Sequence, residues 1–312
     1  MAALQSPAMT DRIPPPVPRR RLTVVDWLLF GAVALAVGLI GWRVNAVLVY
    51  DWNWSRVFGF VVRYDEEQGR WVANLLVQGL FTTIRLAFWG TILAGVIGLV
   101  MGWWRTSQSL TLRILSRTYV ELIRNIPPLV FIFIFYFFIA SQIFPAIGLD
   151  SIDTANPWVD NTLFRIAFGD PALFTNFLSG LFCLALFEAA YITEIVRAGI
   201  QSVPKGQWEA GRAIGLSRTS LLRDIIFPQA LRKILPPLAG QFITLIKDSA
   251  IISLISVQEL TFLATEVAAS TTKVFETWIL VGALYFALCY TFAFIFARLE
   301  RRAGRSTRQE TR

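Results

Sequence analysis

The chain has 312 residues, of which 55% are hydrophobic and only 16% charged. Soluble globular domains carry about 25% charged residues, so this composition excludes a soluble globular domain. The sequence contains no histidine, which excludes metal sites, proton relays and catalytic triads built on imidazole. A net charge of +8 would suggest a nucleic-acid partner for a soluble protein, but membrane proteins accumulate lysine and arginine in cytoplasmic loops, and no nucleic-acid partner is predicted.

Six apolar segments are long enough to cross a hydrocarbon core of about 30 Å as helices. In chain order they cover residues 24–49, 72–104, 119–144, 173–199, 235–256 and 275–298. The motif Asn125-Ile126-Pro127-Pro128 interrupts the third segment, and its two prolines predict a kink there. Residues 50–71 and 145–171 are predicted to be extramembrane loops.

The distribution of positive charge predicts the orientation, because lysine and arginine are retained on the cytoplasmic side of a membrane. With the N terminus inside, most of the 29 lysines and arginines fall within residues 105–117, within residues 200–233 or in the two terminal tails. Alternation of six helices places all of these regions on the inner side. The sequence therefore predicts a multi-pass protein with both termini in the cytoplasm.

A polar, helix-prone segment at residues 204–228 lies between two of these apolar stretches. Pro204 is suited to a helix start, Gly215 to a helix end and Ser217 to the cap of a second helix. Pro228 is predicted to bend that second helix. The segment is thus predicted to be a helical hairpin, with its first helix at Lys205–Ile214.

Two interpretations of this hairpin are open. It could lie on the lipid surface as an amphipathic helix, or it could dock onto another protein. The first helix has a single aromatic residue, Trp208, and a single carboxylate, Glu209, beside the small residues Ala210, Gly211 and Ala213. Small side chains permit close backbone approach, which favours insertion into a groove of a partner.

The spacing of Glu209-Ala210-Gly211, Gly215 and Ile225-x-Phe227-Pro228 resembles the cytoplasmic "EAA" loop of ABC-importer permeases. Residues 189–260 are similar almost throughout to the polar amino acid branch of the type I permeases, with further matches at residues 78–86 and 119–127. Two departures are Gly211, where the family often has alanine, and Phe227, where it often has leucine.

The resemblance implies an all-α integral membrane fold of about six transmembrane helices. These are a five-helix permease core with one additional N-terminal helix, and the coupling (EAA) loop lies between helices 4 and 5. The expected domains are a disordered basic cytoplasmic tail at 1–22, the additional helix and an outer loop at 23–71, the permease domain at 72–300, and a basic cytoplasmic tail at 301–312.

The resemblance also implies partners in a bacterial inner membrane. These are two cytoplasmic ATPase subunits, a second permease protomer (identical or related) and a periplasmic or extracellular solute-binding protein. The chain lacks a GxxxxGK[ST] phosphate-binding loop, so ATP and Mg are expected in the ATPase and no cofactor is expected here. The residues expected to couple to the ATPase are Pro204, Lys205, Gly206, Trp208, Glu209, Ala210, Gly211, Arg212, Ile214, Gly215, Leu216 and Pro228.

Polar groups within the predicted spans form a second candidate site, because charges in a bilayer are costly and tend to be functional. The candidates for a substrate pathway are Glu188, Gln241, Thr244, Lys247, Asp248 and Ser249. Gln241, Thr244 and Asp248 share one face of a helix, and a Glu188–Lys247 ion pair is one arrangement. These groups could fix helix packing, contact an amino acid or contact the second protomer. A Glu194–Arg197 pair and a Glu121–Arg124 pair are also predicted.

The sequence thus predicts a transport subunit that imports polar or charged L-amino acids, for example of the glutamate, aspartate or glutamine type, by alternating access driven by the ATPase. It is not expected to be an enzyme; no catalytic residue and no metal site is predicted, since Cys183 and Cys289 lie in apolar runs. Alternatives are a permease for another small polar nitrogen compound such as an opine, and a secondary transporter driven by an ion gradient.

Overall fold

The computed structural model describes residues 23–47, 50–67, 69–149, 159 and 161–309. The chain divides into two compact units, one ending at Trp52 and one beginning at Asn53. The first unit contains helix α1 (Val24–Val47). Its apolar side chains are exposed, including Trp27 at 64% and Leu35 at 64%. A helix that is apolar on all sides is typical of a membrane span.

The second unit is helical apart from one small hairpin. Its elements are α2 (Trp54–Phe58), β1 (Val62–Asp65), β2 (Arg70–Ala73), α3 (Leu75–Arg105), α4 (Leu110–Asn125), α5 (Pro128–Ile134), a π-helical segment (Phe135–Ala140), α6 (Ser141–Ala146), α7 (Thr162–Phe168), a 3-10 turn (Pro171–Leu173), α8 (Phe174–Gln201), α9 (Lys205–Ala213), α10 (Arg218–Ser220), a second π-helical segment (Leu221–Ile226), α11 (Phe227–Asp248), a 3-10 segment (Ser249–Ile255), α12 (Leu260–Thr271) and α13 (Val274–Gln309).

Six helical segments of the described residues are long and apolar enough to cross a membrane, which confirms the predicted number. They are Val24–Arg43, Leu75–Arg105, Pro128–Ala146, Pro171–Gln201, Arg218–Ile255 and Val274–Arg301. The predicted N-terminal tail at 1–22 lies outside the described residues. So do residues 310–312 of the predicted C-terminal tail at 301–312, and residues 150–158 and 160 of the predicted loop at 145–171. The backbone of α13 continues to Gln309, past the predicted start of the C-terminal tail.

The centre of the second unit is the close pair formed by α3 and α8. Gly98 and Gly102 of α3 face Ile192 and Val196 of α8, and a Cβ atom at either glycine would lie only 2.5 Å from the facing side chain. The absence of side chains at these two positions therefore sets how closely the two longest buried helices approach. Packing is the source of association here, since apolar burial alone does not drive helices together within lipid.

The third predicted helix is wrong in one respect, because it is two helices and not one kinked helix. Ile126 and Pro127 both have extended backbones, with ψ angles of 135° and 137°. Pro128 then starts α5, at a position where its missing N–H has no cost. Ile126 and Pro127 each precede a proline, a position that is disfavoured in the helical region, and both leave it here, so α4 ends at Asn125. Helix α4 also begins earlier than the predicted segment at 119–144, at Leu110.

The predicted boundary between the hairpin and helix 5 is also wrong. The backbone stays helical from Arg218 to Ile255, through a π-helical segment before Phe227. Pro228 lies at the start of α11, where it breaks no hydrogen bond within that helix. The second helix of the hairpin and the membrane helix thus form one continuous helical rod, Arg218–Asp248.

Two elements were not anticipated from the sequence. Residues 62–65 and 70–73 form a β-hairpin in which Val62 pairs with Ala73 and Asp65 with Arg70. Residues 257–274, where no helix is predicted, contain helix α12, which is buried along one face. With 12 residues this helix extends about 18 Å, too short to span a membrane.

Candidate functional site

Helix α9 ends in a tight turn at Gly215. Gly215 has a positive φ of +77°, and its N–H donates to the carbonyl of Arg212 at 3.0 Å. The N–H of Leu216 donates to the carbonyl of Gly211 at 3.1 Å. This pair of bonds is a Schellman motif, which favours glycine because only glycine adopts a positive φ without cost. The predicted helix stop is confirmed.

The next helix starts as predicted, because the Ser217 side chain accepts a hydrogen bond from the N–H of Ser220 at 3.2 Å. Gly211 is the buried residue of α9, and a Cβ atom there would overlap the side chain of Leu221. The glycine at this position therefore allows α9 to lie directly on the π-helical segment. Packing therefore explains why position 211, where the family often has alanine, is a glycine in this chain.

The opposite face of α9 is exposed. Ile214, an apolar residue at its end, is 74% exposed, and neither Glu209 nor Arg212 forms an ion pair within the described part of the chain. Trp208 and Leu216 are half-buried against the bundle. The remaining coupling candidates on this surface are exposed: Pro204, Lys205, Gly206, Ala210, Gly215 and Pro228.

Side-chain bonds join α9 and the end of α8 to the rod, and join the rod to the end of α3. Lys233 donates to the carbonyl of Ser202 at 2.7 Å, and Gln229 donates to the side chain of Gln207 at 3.2 Å. Arg218 donates to the carbonyl of Thr106 just after α3, at 2.9 Å. A displacement of α9 would therefore be passed to both α3 and α11.

Glu194 lies at the centre of a charge network near the end of α8. The predicted Glu194–Arg197 pair is confirmed at 2.7 Å, and Arg105 of α3 approaches the same carboxylate at 3.0 Å. Sequence reasoning missed Arg105, because no local spacing relates residues 89 positions apart. The predicted Glu121–Arg124 pair does not form within the described residues; Glu121 lies 3.8 Å from Arg117, and Arg124 lies over the Tyr191 ring.

The structure brings together three of the six intramembrane candidates. Glu188 of α8 is fully buried and accepts a hydrogen bond from the side chain of Gln241 in α11. Asp248 interacts with the same carboxyl group, and Thr244 lies half-buried between Gln241 and Asp248 along the helix. Glu188 Oε1 is buried without a hydrogen-bond partner among the described residues.

Lys247 and Ser249, two of the remaining three candidates, are placed differently. Lys247 is exposed on the surface of α11, and no ion pair joins it to Glu188 in the described part of the chain. The predicted Glu188–Lys247 pair is therefore wrong. Adjacent residues of a helix point about 100° apart, so a rod that turns Asp248 toward Glu188 turns Lys247 away. Ser249 is buried and donates to the carbonyl of Ile246 at 2.8 Å.

A buried carboxylate outside the predicted set is Glu259. It is fully buried, caps α12 by accepting from the N–H of Phe262 at 2.9 Å, and accepts from the hydroxyl groups of Tyr285 at 2.7 Å and Thr83 at 3.3 Å. Burial raises the pKa of Glu259 to about 6, against these hydrogen bonds, which lower it. Glutamate is not among the preferred N-cap residues, and residues 260–271 mix apolar and polar side chains, so no local pattern marked this helix start.

Residues 94–305 match the family model described as "Binding-protein-dependent transport system inner membrane component". The chain belongs to this family. The permease is 34% identical to "Glutamine transport system permease protein GlnP" of Escherichia coli (strain K12) over 73% of this chain and 92% of that protein. It is 33% identical to "L-cystine transport system permease protein TcyB" of Bacillus subtilis (strain 168) over 74% of this chain and 87% of that protein.

A solved structure gives the same result for the fold. The "Crystal structure of an amino acid ABC transporter with histidines" covers 73% of this permease and 94% of its own chain, with a TM-score of 0.58 and 31% identity. The permease is thus an all-α, multi-pass inner-membrane subunit of a bacterial ABC importer, and a transport subunit, not an enzyme. This confirms the family, the fold class and the transport function predicted from the sequence.

Proposed function

We propose that this permease imports polar or charged amino acids, with α9 as the element on which a separate ATPase subunit acts. The observation that carries the proposal is the geometry of α9. The face of α9 that carries Gly211 packs onto the rod. The rod extends to Gln241 and Asp248, which form the polar cluster with Glu188. Glu209, Arg212 and Ile214 are left exposed for a partner. Movement of a docked partner would therefore reach the membrane through one helix.

The polar cluster supports an amino acid as the substrate. Two carboxyl groups, Glu188 and Asp248, meet inside the bundle, and one carboxylate oxygen of Glu188 has no hydrogen-bond partner among the described residues. An ammonium group is the natural complement of such acceptors. The names of the relatives, a glutamine and an L-cystine permease, agree with a ligand that carries an α-ammonium group.

The assembly proposed is that of the wider family. Two ATPase subunits on the α9 side, a second permease protomer and a solute-binding protein on the opposite side complete the importer. The domain division at 1–22, 23–71, 72–300 and 301–312 is proposed with it, as is the location of both termini in the cytoplasm. ATP and Mg belong to the ATPase.

The test is uptake of radiolabelled amino acids into proteoliposomes. The permease is purified with the ATPase and permease subunits that accompany it, ATP is supplied on the α9 side and binding protein on the other. Uptake that requires hydrolysable ATP and is competed by polar amino acids is the expected result. Competition only by an opine would show that the permease imports opines and not polar amino acids. Uptake driven by an ion gradient without an ATPase would overturn the role of α9 and favour a secondary transporter.

A further inference from the structure

A basic cleft lies beside the α9 end of the bundle, away from the polar cluster and from the exposed face of α9. It has a volume of about 420 Å³ and lies between the end of α3, helix α4 and the end of α8. Four arginines line it, Arg105, Arg113, Arg117 and Arg197, with Glu121 at its edge. Neither the transport pathway nor partner docking accounts for this concentration of guanidinium groups.

Charge in the cleft is not balanced. Arg105 and Arg197 share the single carboxylate of Glu194, at 3.0 Å and 2.7 Å. Arg117 lies 3.8 Å from Glu121, and both side chains are more than half exposed. Arg113 has no ion pair in the described part of the chain. Four cations face two carboxylates, so the cleft is complementary to an anion.

Apolar side chains stand beside these arginines on α4. Leu110 and Ile114 line the same cleft and are 61% and 54% exposed, while Leu122 is 53% exposed farther along the helix. Ser116, Val120 and Ile123 bury the opposite face against the bundle. A helix with arginines interleaved with exposed leucine and isoleucine is typical of the membrane interface.

The depth of the cleft agrees with this. The span Leu75–Arg105 ends at Arg105 itself, so the cleft lies where α3 leaves the hydrocarbon region. The bond between Arg218 and the carbonyl of Thr106 places it on the same side as α9. If that side is cytoplasmic, as proposed from the charge distribution, it faces the leaflet surface that carries anionic lipid.

We propose that this cleft binds the headgroup phosphate of an anionic phospholipid. Arg113 and Arg117, one turn apart on α4, would contact the phosphate oxygens, since guanidinium groups bind phosphate with two parallel N–H donors. Leu110 and Ile114 would cover the first methylenes of the acyl chains. Because Arg105 and Arg197 tie the cleft to Glu194 near the α8–α9 junction, a bound lipid would rest against the base of the coupling hairpin.

The test is lipid binding to the full-length, delipidated permease in detergent, measured by native mass spectrometry. The probes are dioleoyl-phosphatidylglycerol and dioleoyl-phosphatidylcholine. Phosphatidylglycerol is expected to bind at least tenfold more tightly, with a preference that weakens at high salt. The Arg113→Gln, Arg117→Gln double variant is expected to weaken phosphatidylglycerol binding by roughly fivefold for each arginine removed and to leave phosphatidylcholine binding unchanged.

The matched control is Arg223→Gln, Arg232→Gln, which removes two exposed arginines from the same side of the molecule but outside the cleft. It is expected to retain the lipid preference. Arg113→Gln alone keeps the test valid if the double variant is unstable, because Arg113 holds no ion pair within the described residues. Equal binding of the two lipids, or an equal loss in the control variant, would overturn the proposal. Displacement of the lipid by an equal concentration of inorganic phosphate would also overturn it in favour of a site for free anions.

Discussion

The side-chain amide of Gln241 donates a hydrogen bond to the carboxylate of the fully buried Glu188, which joins α11 to α8. The bond fixes the rotation of α11 about its axis, so that Asp248, seven residues on, faces α8 while Lys247 is exposed. The two neighbours Lys247 and Asp248 therefore have different expected roles. The structure separates them where the sequence could not.

Asp248→Ala is expected to change the transport rate or the substrate preference, because it removes one of the two carboxyl groups proposed to meet the substrate ammonium. Initial uptake rates across a panel of amino acids measure this. The control is Lys247→Ala, which removes an exposed charge one residue away and is expected to leave the preference unchanged. Wild-type kinetics in the Asp248 variant would assign that group to helix packing.

Glu209→Lys is expected to abolish ATP-dependent uptake while membrane insertion and folding are retained, because the variant reverses the single carboxylate on the exposed face of α9. Co-purification of the ATPase, uptake in proteoliposomes and size-exclusion behaviour are the measurements. Asp224→Lys makes the same charge change at a site 62% exposed outside α9 and is the control. Normal uptake in the Glu209 variant would contradict docking at this face.

Gly211→Ala is expected to lower stability by about 1–3 kcal/mol and to loosen α9, because the added methyl group overlaps Leu221. Gly206→Ala in the same helix has no atom within 4 Å of the new Cβ and is expected to be neutral or slightly stabilising. Amide hydrogen exchange across residues 205–213 measures the effect of both substitutions on α9. Recovery of protection in a Gly211→Ala, Leu221→Ala double variant would identify the overlap as the cause.

We expect the stability of the protein to depend on pH through Glu259, and the sign of this dependence follows from the raised pKa of its carboxyl group. A folded-state pKa of about 6, above the ordinary value of 4.5, means that the carboxyl group contributes stability below about pH 4.5 and loses this contribution as pH rises through about 6. The difference amounts to about 2 kcal/mol.

The measurement compares thermal unfolding of wild-type protein and Glu259→Gln between pH 4.5 and 7.5. The variant is expected to gain stability relative to the wild type as pH rises, since its amide does not titrate. Glu266→Gln, on the exposed face of the same helix α12, is expected to show a flat difference. A flat difference for Glu259→Gln as well would refute an effect of burial on this carboxyl group.

Properties that depend on continuous local pattern could be predicted from the sequence. The six apolar segments, the Schellman stop at Gly215 and the cap at Ser217 each follow from neighbouring residues, and the structure confirms them. The resemblance found in residues 189–260 gave the family in the same way.

Features that depend on contacts distant in sequence could not be predicted. The partners of Glu188 and Glu194 are chosen by helix rotation and by helix pairing, which apolar periodicity leaves open when a helix is apolar on all sides. Helix α12 is short, so it lacks the length that marked the other segments. The break at residues 126–127 was located correctly, but the local sequence does not fix whether a proline pair ends a helix or lies within one, since Pro236 and Pro237 lie inside α11.

The continuous helix from Arg218 to Asp248 has a mechanical consequence. At about 1.5 Å per residue it is a strut of roughly 45 Å, with one end beside α9 and the other at Asp248. Pro236 and Pro237 lie within it and cannot supply the N–H groups that the carbonyls of Arg232 and Lys233 would otherwise accept. Force applied at α9 would therefore flex the strut at this joint, about one turn before Gln241, and would move the Gln241–Asp248 segment relative to Glu188.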